Sequence, residues 1–256
     1  MIAEIISVGS ELLLGDIVNT NAQYLAQQMA KLGIIVQYQT SVGDNSERVK
    51  KAIDIAFERA DTVIMTGGLG PTKDDLTKEM LAEYFAKELV WDAEVYQQIK
   101  NRMCKYGVTK VSESNKKQAY VPQDCIVLYN EHGTAPGCII EGDEKTAVLL
   151  PGPPKEMQWM FEEYVLDYLR KFSDKMFVSV NIKLEGIGES MAADKIDHLL
   201  DNSNPTVAPY AKADGTLLRI TASATNQKEA LEMIEPILEE IKRILKGNIK
   251  EVIMPS

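Results

Sequence analysis

The stretch Thr66-Gly67-Gly68-Leu69-Gly70-Pro71-Thr72-Lys73-Asp74-Asp75 joins closely spaced glycines to two adjacent acids. Glycines let a backbone approach a ligand closely and present its N–H groups. Those groups, with the N-terminus of a following helix, cradle phosphate or pyrophosphate. Carboxylates beside a bound phosphate are unfavourable unless a cation lies between them. Oxygen ligands and retained waters make Mg2+ the fitting ion. The run has neither the Gly-Lys-Ser/Thr of a Walker A loop nor Gly-x-Gly-x-x-Gly spacing. The alternative is a tight turn in which Asp74 and Asp75 only cap a helix.

A second candidate is Gly9-Ser10-Glu11-Leu12-Leu13-Leu14-Gly15-Asp16, running on to Asn19-Thr20-Asn21. Glu11 and Asp16 could join a metal site there, and Asn19 or Thr20 could cap a helix. Asp44, in Val42-Gly43-Asp44-Asn45, is a cap or a third acid. Three further loops are dense in Gly and Pro: 130–137, 151–156 and 204–212. They read as rigid turns that could also touch a ligand. Thr134, Lys155, Tyr210 and Lys212 are the candidates they supply, and Lys116 and Lys117 are further cations.

These loops need elements to hold them. Ile2 to Val8 is a short apolar run, a first strand. Asn19 to Leu32 has helical spacing through Leu25, Met29 and Leu32. Ile34 to Val42 is a second strand, and Ser46 caps a helix with Val49, Ile53 and Phe57 on one face. Thr62 to Thr66 is a third strand, followed by the Gly-rich loop and a helix from Leu76 to Phe85. A βαβαβα order predicts a mainly parallel sheet covered by helices, with ligands at the carboxyl ends of its strands. Glu11, Asp44 and the Gly-rich loop should then share one edge. Asp92 to Tyr106 reads as a helix, and Cys125 to Tyr129 and Gly137 to Ile140 as strands. Thr146 to Leu150 is a buried strand, and a long helix runs through Met157, Phe161 and Leu169.

Near Ser173-Asp174-Lys175 the pattern changes. Phe177 to Leu184 is a strand, Ser190 to Leu200 a helix, and Val207 to Ala211 and Leu217 to Ala224 strands around an Asp214-Gly215 turn. Gln227 to Leu245 is a helix. The expected organisation is a main domain over 1–172 and a small α+β domain, βαββα, over 173–256.

Composition narrows the classes. The 256 residues are 45% hydrophobic and 26% charged, ordinary for a globular chain with a core. A formal net charge of −10 disfavours nucleic acid and anionic lipid as partners, and makes any bound phosphate depend on local help. Cys104, Cys125 and Cys138 match no zinc spacing and read as buried reduced thiols. Two histidines are too few for a multi-histidine zinc site. The N-terminus has no basic leader or cleavage site, and no apolar run is long enough to span a bilayer. The expected compartment is the cytoplasm.

Seven segments in order, VGSELLLGDIVNTN, TGGLGPTKDD, NKKQA, GTAPG, LPGPPKEM, GIGES and NPTVAPYAK, resemble the N-terminal part of the competence/damage-inducible protein A family. That part is similar to the molybdopterin-binding domain of molybdenum-cofactor biosynthesis proteins. The resemblance implies a three-layer, doubly wound α/β domain followed by a small domain, and a homodimer. It implies metal-dependent hydrolysis of ADP-ribose at its pyrophosphate, giving AMP and ribose 5-phosphate. On matching positions, Gly67, Gly68, Gly70, Pro71 and Thr72 would meet the phosphates. Asp75 and Glu11 would be catalytic or metal-binding carboxylates, with Asp44 and Asp74 as further metal ligands. Thr134 and Lys155 would also bind substrate, and Tyr210 and Lys212 would reach it from the second domain. Asp75 would orient or deprotonate the water, and the cation would neutralise the pyrophosphate. Two alternatives remain: a molybdopterin-related binding or transfer protein, and a non-catalytic nucleotide-binding module. Long family members add a C-terminal nicotinamide-nucleotide amidase domain that this sequence does not include, so no deamidase activity is carried over.

Overall fold

The structure, a computed structural model, describes residues 1–105, 107–108, 110–172, 175–213 and 215–255. Tyr106 at the expected helix end, the Ser173-Asp174 boundary and the Asp214 turn position lie outside the described residues. The chain divides into two compact units, one of Met1–Met29 and Ile34–Phe172, the other of Ala30–Gly33 and Ser173–Ser256.

The first unit alternates strand and helix. Its elements run β1 (Ile2–Val8), α1 (Ser10–Leu14), α2 (Thr20–Lys31), β2 (Ile35–Val42), α3 (Ser46–Arg59), β3 (Thr62–Thr66), α4 (Thr77–Tyr84), β4 (Leu89–Trp91), α5 (Ala93–Lys105), α6 (Glu113–Lys116), β5 (Tyr120–Pro122), β6 (Ile126–Leu128), β7 (Gly137–Gly142), β8 (Lys145–Leu150), α7 (Pro154–Met160) and α8 (Leu166–Arg170). A six-stranded sheet has the order β2-β1-β3-β8-β7-β6. Its first four strands are mutually parallel, β7 is antiparallel to β8, and β6 is antiparallel to β7. This is the expected doubly wound, mainly parallel sheet. β1 and β3 are buried along almost their whole length, as a strand covered on both faces must be.

Register brings the strand ends level. Ser7 pairs with Ser41 on one side and Thr66 on the other, and Thr66 pairs with Leu150. The loops that leave β1, β2, β3 and β8 therefore emerge at one edge. The chain goes from β1 to β2 on one side and then crosses to β3 on the other, so the winding reverses between β1 and β3. Ligand crevices of open α/β sheets form at such a reversal.

Local details depart from the sequence reading. Ser46 begins α3 but does not cap it, since the Asn45 side chain accepts from the Arg48 N–H at 3.1 Å. Residues 10–14, expected as loop, form one helical turn closed by Gly15 at φ 79°. The long helix after β8 is interrupted by a π-helical stretch over Phe161–Val165. Cys138 is buried and Cys125 half-buried, but Cys104 is exposed, against the expectation of three buried thiols.

The second unit runs β9 (Met176–Leu184), α9 (Glu189–Lys195), α10 (Asp197–Leu200), β10 (Thr206–Lys212), β11 (Gly215–Ala224), α11 (Gln227–Ile244) and β12 (Ile249–Ile253). Its antiparallel sheet has the order β10-β11-β9-β12. Alternate residues of β9 and β11 face a core with Ala230, Ile234 and Ile241 of α11. The strand β12 was missed because its five residues, Ile-Lys-Glu-Val-Ile, break strict alternation. The helix expected over 190–200 is two short helices. No helix among the described residues is long and apolar enough to cross a membrane.

Candidate functional site

A cleft of about 390 Å³ lies at the level strand ends. Val8 and Gly9 line it from β1, Asp44 from β2, Gly67 to Pro71 with Asp74 and Asp75 from β3, and Pro151 to Pro153 from β8. Glu11, Gln118, Thr134, Ala135 and Glu156 complete it. That volume lies in the range of small-molecule sites.

The floor requires glycine. Gly67 and Gly68 have φ of 93° and 66°, in the left-handed region. A Cβ on Gly67 would stand 2.1 Å from the Val8 carbonyl oxygen, and one on Gly68 would stand 2.0 Å from Thr77 Oγ1. The Gly67 N–H continues the sheet ladder to the Leu150 carbonyl at 3.1 Å.

The acids are tied into the loops they leave. One oxygen of Asp75 accepts from the Thr72 N–H at 2.9 Å and from the Thr72 hydroxyl at 2.6 Å. Thr72 Oγ1 also contacts Asp74, and this hydrogen bond holds the Asp74 carboxyl below its ordinary value. Neither acid caps α4, whose N-cap residue is Leu76 with no side-chain cap bond. Asp44 accepts from the Ser10 N–H at 2.8 Å, fastening the loop after β2 to the start of α1. Glu11 folds over Gly9, where a Cβ would come 2.4 Å from its Oε1.

Behind the loop sit side chains of which sequence reasoning singled out only Lys117, as a cation. Gln118, 2% exposed, donates to the Leu69 carbonyl at 3.1 Å. Lys117 donates to the Asp75 carbonyl at 2.5 Å and pairs with Glu79 at 3.0 Å. Lys78 is buried, donates to the carbonyls of Lys117 and Gln118 at 3.2 and 3.4 Å, and is pushed below the ordinary lysine value by burial. Glu156 accepts from Asn130 Nδ2 at 2.7 Å, and Asn130 Oδ1 accepts from the N–H groups of His132 and Gly133. The only signal for this group was the NKKQA segment and the loops rich in Gly and Pro, which name residues but not their targets.

Several expected residues stand elsewhere. Thr72 organises Asp74 and Asp75 rather than lining the cleft. Lys155 is exposed and lines a neighbouring groove with His132, Pro153, Pro154 and Glu156, because α7 turns it outward. Asp16 is exposed, and its N–H is bonded to the Glu11 carbonyl at 3.0 Å beyond the cleft lining. Lys116 pairs with Glu113 at 2.6 Å. Tyr210 and Lys212 belong to the second unit and are described within it alone: both are exposed on β10, where Arg219 lies over the Tyr210 ring and Lys212 borders a groove with Lys183 and Lys250.

The cleft lining carries Glu11, Asp44, Asp74, Asp75 and Glu156 and no Lys or Arg. Glu11, Asp44, Asp74 and Asp75 nevertheless do not converge as a metal-ligand set, since no three His, Cys, Asp or Glu among the described residues could hold an ion together. An anion here would depend on backbone N–H groups and on a cation that takes part of its coordination from the ligand itself.

A family model described as "Probable molybdopterin binding domain" matches residues 4–171, and one described as "Damage-inducible protein CinA KH domain" matches 179–249. The chain is 50% identical over 250 residues to a "Putative competence-damage inducible protein" of Clostridium acetobutylicum, and 53% identical to that of Clostridium beijerinckii. Each match covers 97% of this chain and 61% of the relative, so the chain spans less than two thirds of their length. A solved structure described as the protein CinA with unknown function, from Thermoplasma acidophilum, is 36% identical with a TM-score of 0.60, covering 65% of this chain and 96% of that one. These matches correct the expectation of an ADP-ribose pyrophosphatase. The model that covers the cleft is described by molybdopterin binding, and the relatives' descriptions name no such hydrolase. Of the readings drawn from the sequence, the molybdopterin-related one agrees with them better. The chain belongs to the CinA family of competence- and damage-inducible proteins.

Proposed function

We propose that the first unit binds a phosphate-bearing pterin of the molybdopterin class in the cleft between β1 and β3. The observation that carries this reading is the floor at Gly67 and Gly68, where side chains are excluded at the reversal of sheet winding. The family description over 4–171 gives the ligand class. In this reading the phosphate lies against the Gly67–Gly70 backbone, and N–H dipoles meet its charge.

Five acids in the lining would repel that phosphate. In this reading a divalent cation such as Mg2+, held mainly by ligand oxygens and waters and touched by Glu11 or by the Asp75 oxygen that Thr72 does not engage, offsets that repulsion. When bound, it supplies charge neutralisation. The chain's own residues fix the ligand: Thr72 holds Asp75 in place, and Gln118 holds the Leu69 peptide. We take the protein to act in the cytoplasm, and as a homodimer, the latter being what the family resemblance implies.

The test is calorimetric titration of the protein with molybdopterin and with its dephosphorylated form, each with Mg2+. The phosphorylated pterin should bind at least about tenfold more tightly, the size of one charge-assisted contact. Equal binding of both forms would place the phosphate outside the loop.

A further inference from the structure

The cysteines are nucleophiles that the cleft does not use, and two of them stand together. β6 and β7 are antiparallel, with Val127 opposite Cys138 and Leu128 opposite Gly137. Side chains alternate along a strand, so Cys125, two residues before Val127, falls on the same face as Cys138 and is its diagonal neighbour. Both pack in one core cluster with Ile140, Ala147 and Leu149.

Core cysteines are ordinarily inert small hydrophobes. Three features set this pair apart. The two side chains are hydrogen-bonded to each other. That bond holds the Cys125 thiol below its ordinary value, and the same bond, with burial, pushes the Cys138 thiol well above. The buried Lys78 ammonium adds a cation whose field favours the thiolate at both sulfurs. Cys125 is only half-buried, which leaves access for a small reagent, whereas Cys138 is enclosed. Thiol reactivity follows thiolate character and access.

A diagonal pair lies at about the outer limit of disulfide geometry. Cys125 sits one residue before β6, in a turn where its N–H donates to the Pro122 carbonyl at 3.2 Å. Closure therefore shifts a turn and leaves the ladder in place.

We propose that Cys125 and Cys138 are a reversible oxidation site for a small hydroperoxide, with Cys125 as the thiol attacked first and Cys138 as the thiol that resolves it. The Cys125 thiolate attacks one peroxide oxygen, the O–O bond breaks, and hydroxide leaves, giving a sulfenic acid. The Cys138 sulfur then attacks the Cys125 sulfur. The S–S bond forms, the S–O bond breaks, and the hydroxyl departs as water with the Cys138 proton. Two thiols lose two electrons, and one peroxide becomes two waters. The resolving thiol keeps Cys125 from further, irreversible oxidation.

Cys104 is exposed and reacts on its own, so the test uses Cys104→Ser, which leaves Cys125 and Cys138 as the two thiols of the chain. A single equivalent of hydrogen peroxide, added to the native protein, should protect both thiols from iodoacetamide after unfolding, and dithiothreitol should restore both. The product should be a monomer whose non-reduced peptide map links Cys125 to Cys138. With Cys138→Ala added, and folding checked by thermal unfolding, oxidation should stop at a Cys125 sulfenic acid that dimedone traps. If that variant does not fold, the Cys104→Ser result decides alone. Two alkylatable thiols after peroxide, a disulfide between two chains, or Cys125 carried to sulfinic acid while Cys138 stays reduced would overturn the assignment.

Discussion

Thr72 and Asp75 form a closed pair: one carboxylate oxygen of Asp75 takes both the backbone N–H and the hydroxyl of Thr72, at 2.9 and 2.6 Å. Asp75 also lines the cleft. In the proposed reading the acid has two duties, to shape the loop with one oxygen and to face the ligand with the other.

Asp75→Asn separates them. The amide oxygen can still accept from Thr72, so unfolding free energy should change by less than about 1 kcal/mol. The charge facing the cleft is gone, and with it the reason for a divalent ion. Pyrophosphate affinity should lose its Mg2+ dependence, so that chelation by EDTA weakens binding by about tenfold in the unmodified protein and hardly at all in the variant. A variant that responds to EDTA as the unmodified protein does would remove Asp75 from the cation's surroundings.

Glycine is required at the floor by contact as well as by φ. Gly15 has φ 79° with nothing within 4 Å of a built Cβ, whereas a Cβ on Gly68, at φ 66°, would meet Thr77 Oγ1 at 2.0 Å. Gly15→Ala should thus show the backbone strain alone, about 1 kcal/mol. Gly68→Ala should cost clearly more, by about a further 1–3 kcal/mol for overpacking. Urea unfolding of both variants compares them directly, and equal losses would mean that the floor yields to a methyl group.

Gln118 is the clamp on the Leu69 carbonyl. Gln118→Leu keeps the volume and removes the donor, leaving a buried carbonyl unpaired at a cost of about 1–3 kcal/mol. Hydrogen exchange should speed up in residues 67–72 and remain unchanged in β7. Unchanged protection across 67–72 would show that the loop holds its shape without Gln118.

Burial pushes Lys78 below the ordinary lysine value, while nearby Glu79 pulls it partly back. The native state then releases the proton at a lower pH than the unfolded chain does. Between the lowered folded value and 10.5, the unfolded chain binds more protons, so this group makes stability rise with pH. Below that window the burial cost of the charged form is present in full. Tyr129 and Tyr168, pushed up to about 12 mainly by burial, work in the opposite direction above pH 10. The Lys78 contribution is therefore read as a difference. The stability of the unmodified protein relative to Lys78→Met, from denaturant unfolding at successive pH values, should rise through that window, and a flat difference would mean that Lys78 is solvated in the native state.

Much of this was legible in the sequence because it follows from period and punctuation. The apolar runs ending at Val8, Val42, Thr66 and Leu150 mark strands, and each is followed by a loop of Gly, Pro or acid residues. Their meeting at one edge follows from parallel winding. What the sequence did not disclose depends on contacts made across the fold. Gln118 meets Leu69, and Asn21 meets Gly152, across 49 and 131 residues of chain. Lys78 sits on a short helix where a polar pattern reads as solvent-facing, yet tertiary packing buries it. Lys155 was misplaced for the converse reason: the loop was right, but the helical turn that follows directs the side chain outward. The ligand expectation failed because a phosphate cradle does not specify what the phosphate is attached to.

The most direct measurement of the central claim is molybdopterin binding with Mg2+ by the unmodified protein and by Gly70→Ala, whose Cβ would stand 2.4 Å from Asp75 Oδ2 in the floor of the cleft. The account predicts saturable one-site binding that weakens at least about tenfold in the variant, with both proteins equally folded. No binding by the unmodified protein, or equal affinity in the two, would contradict it.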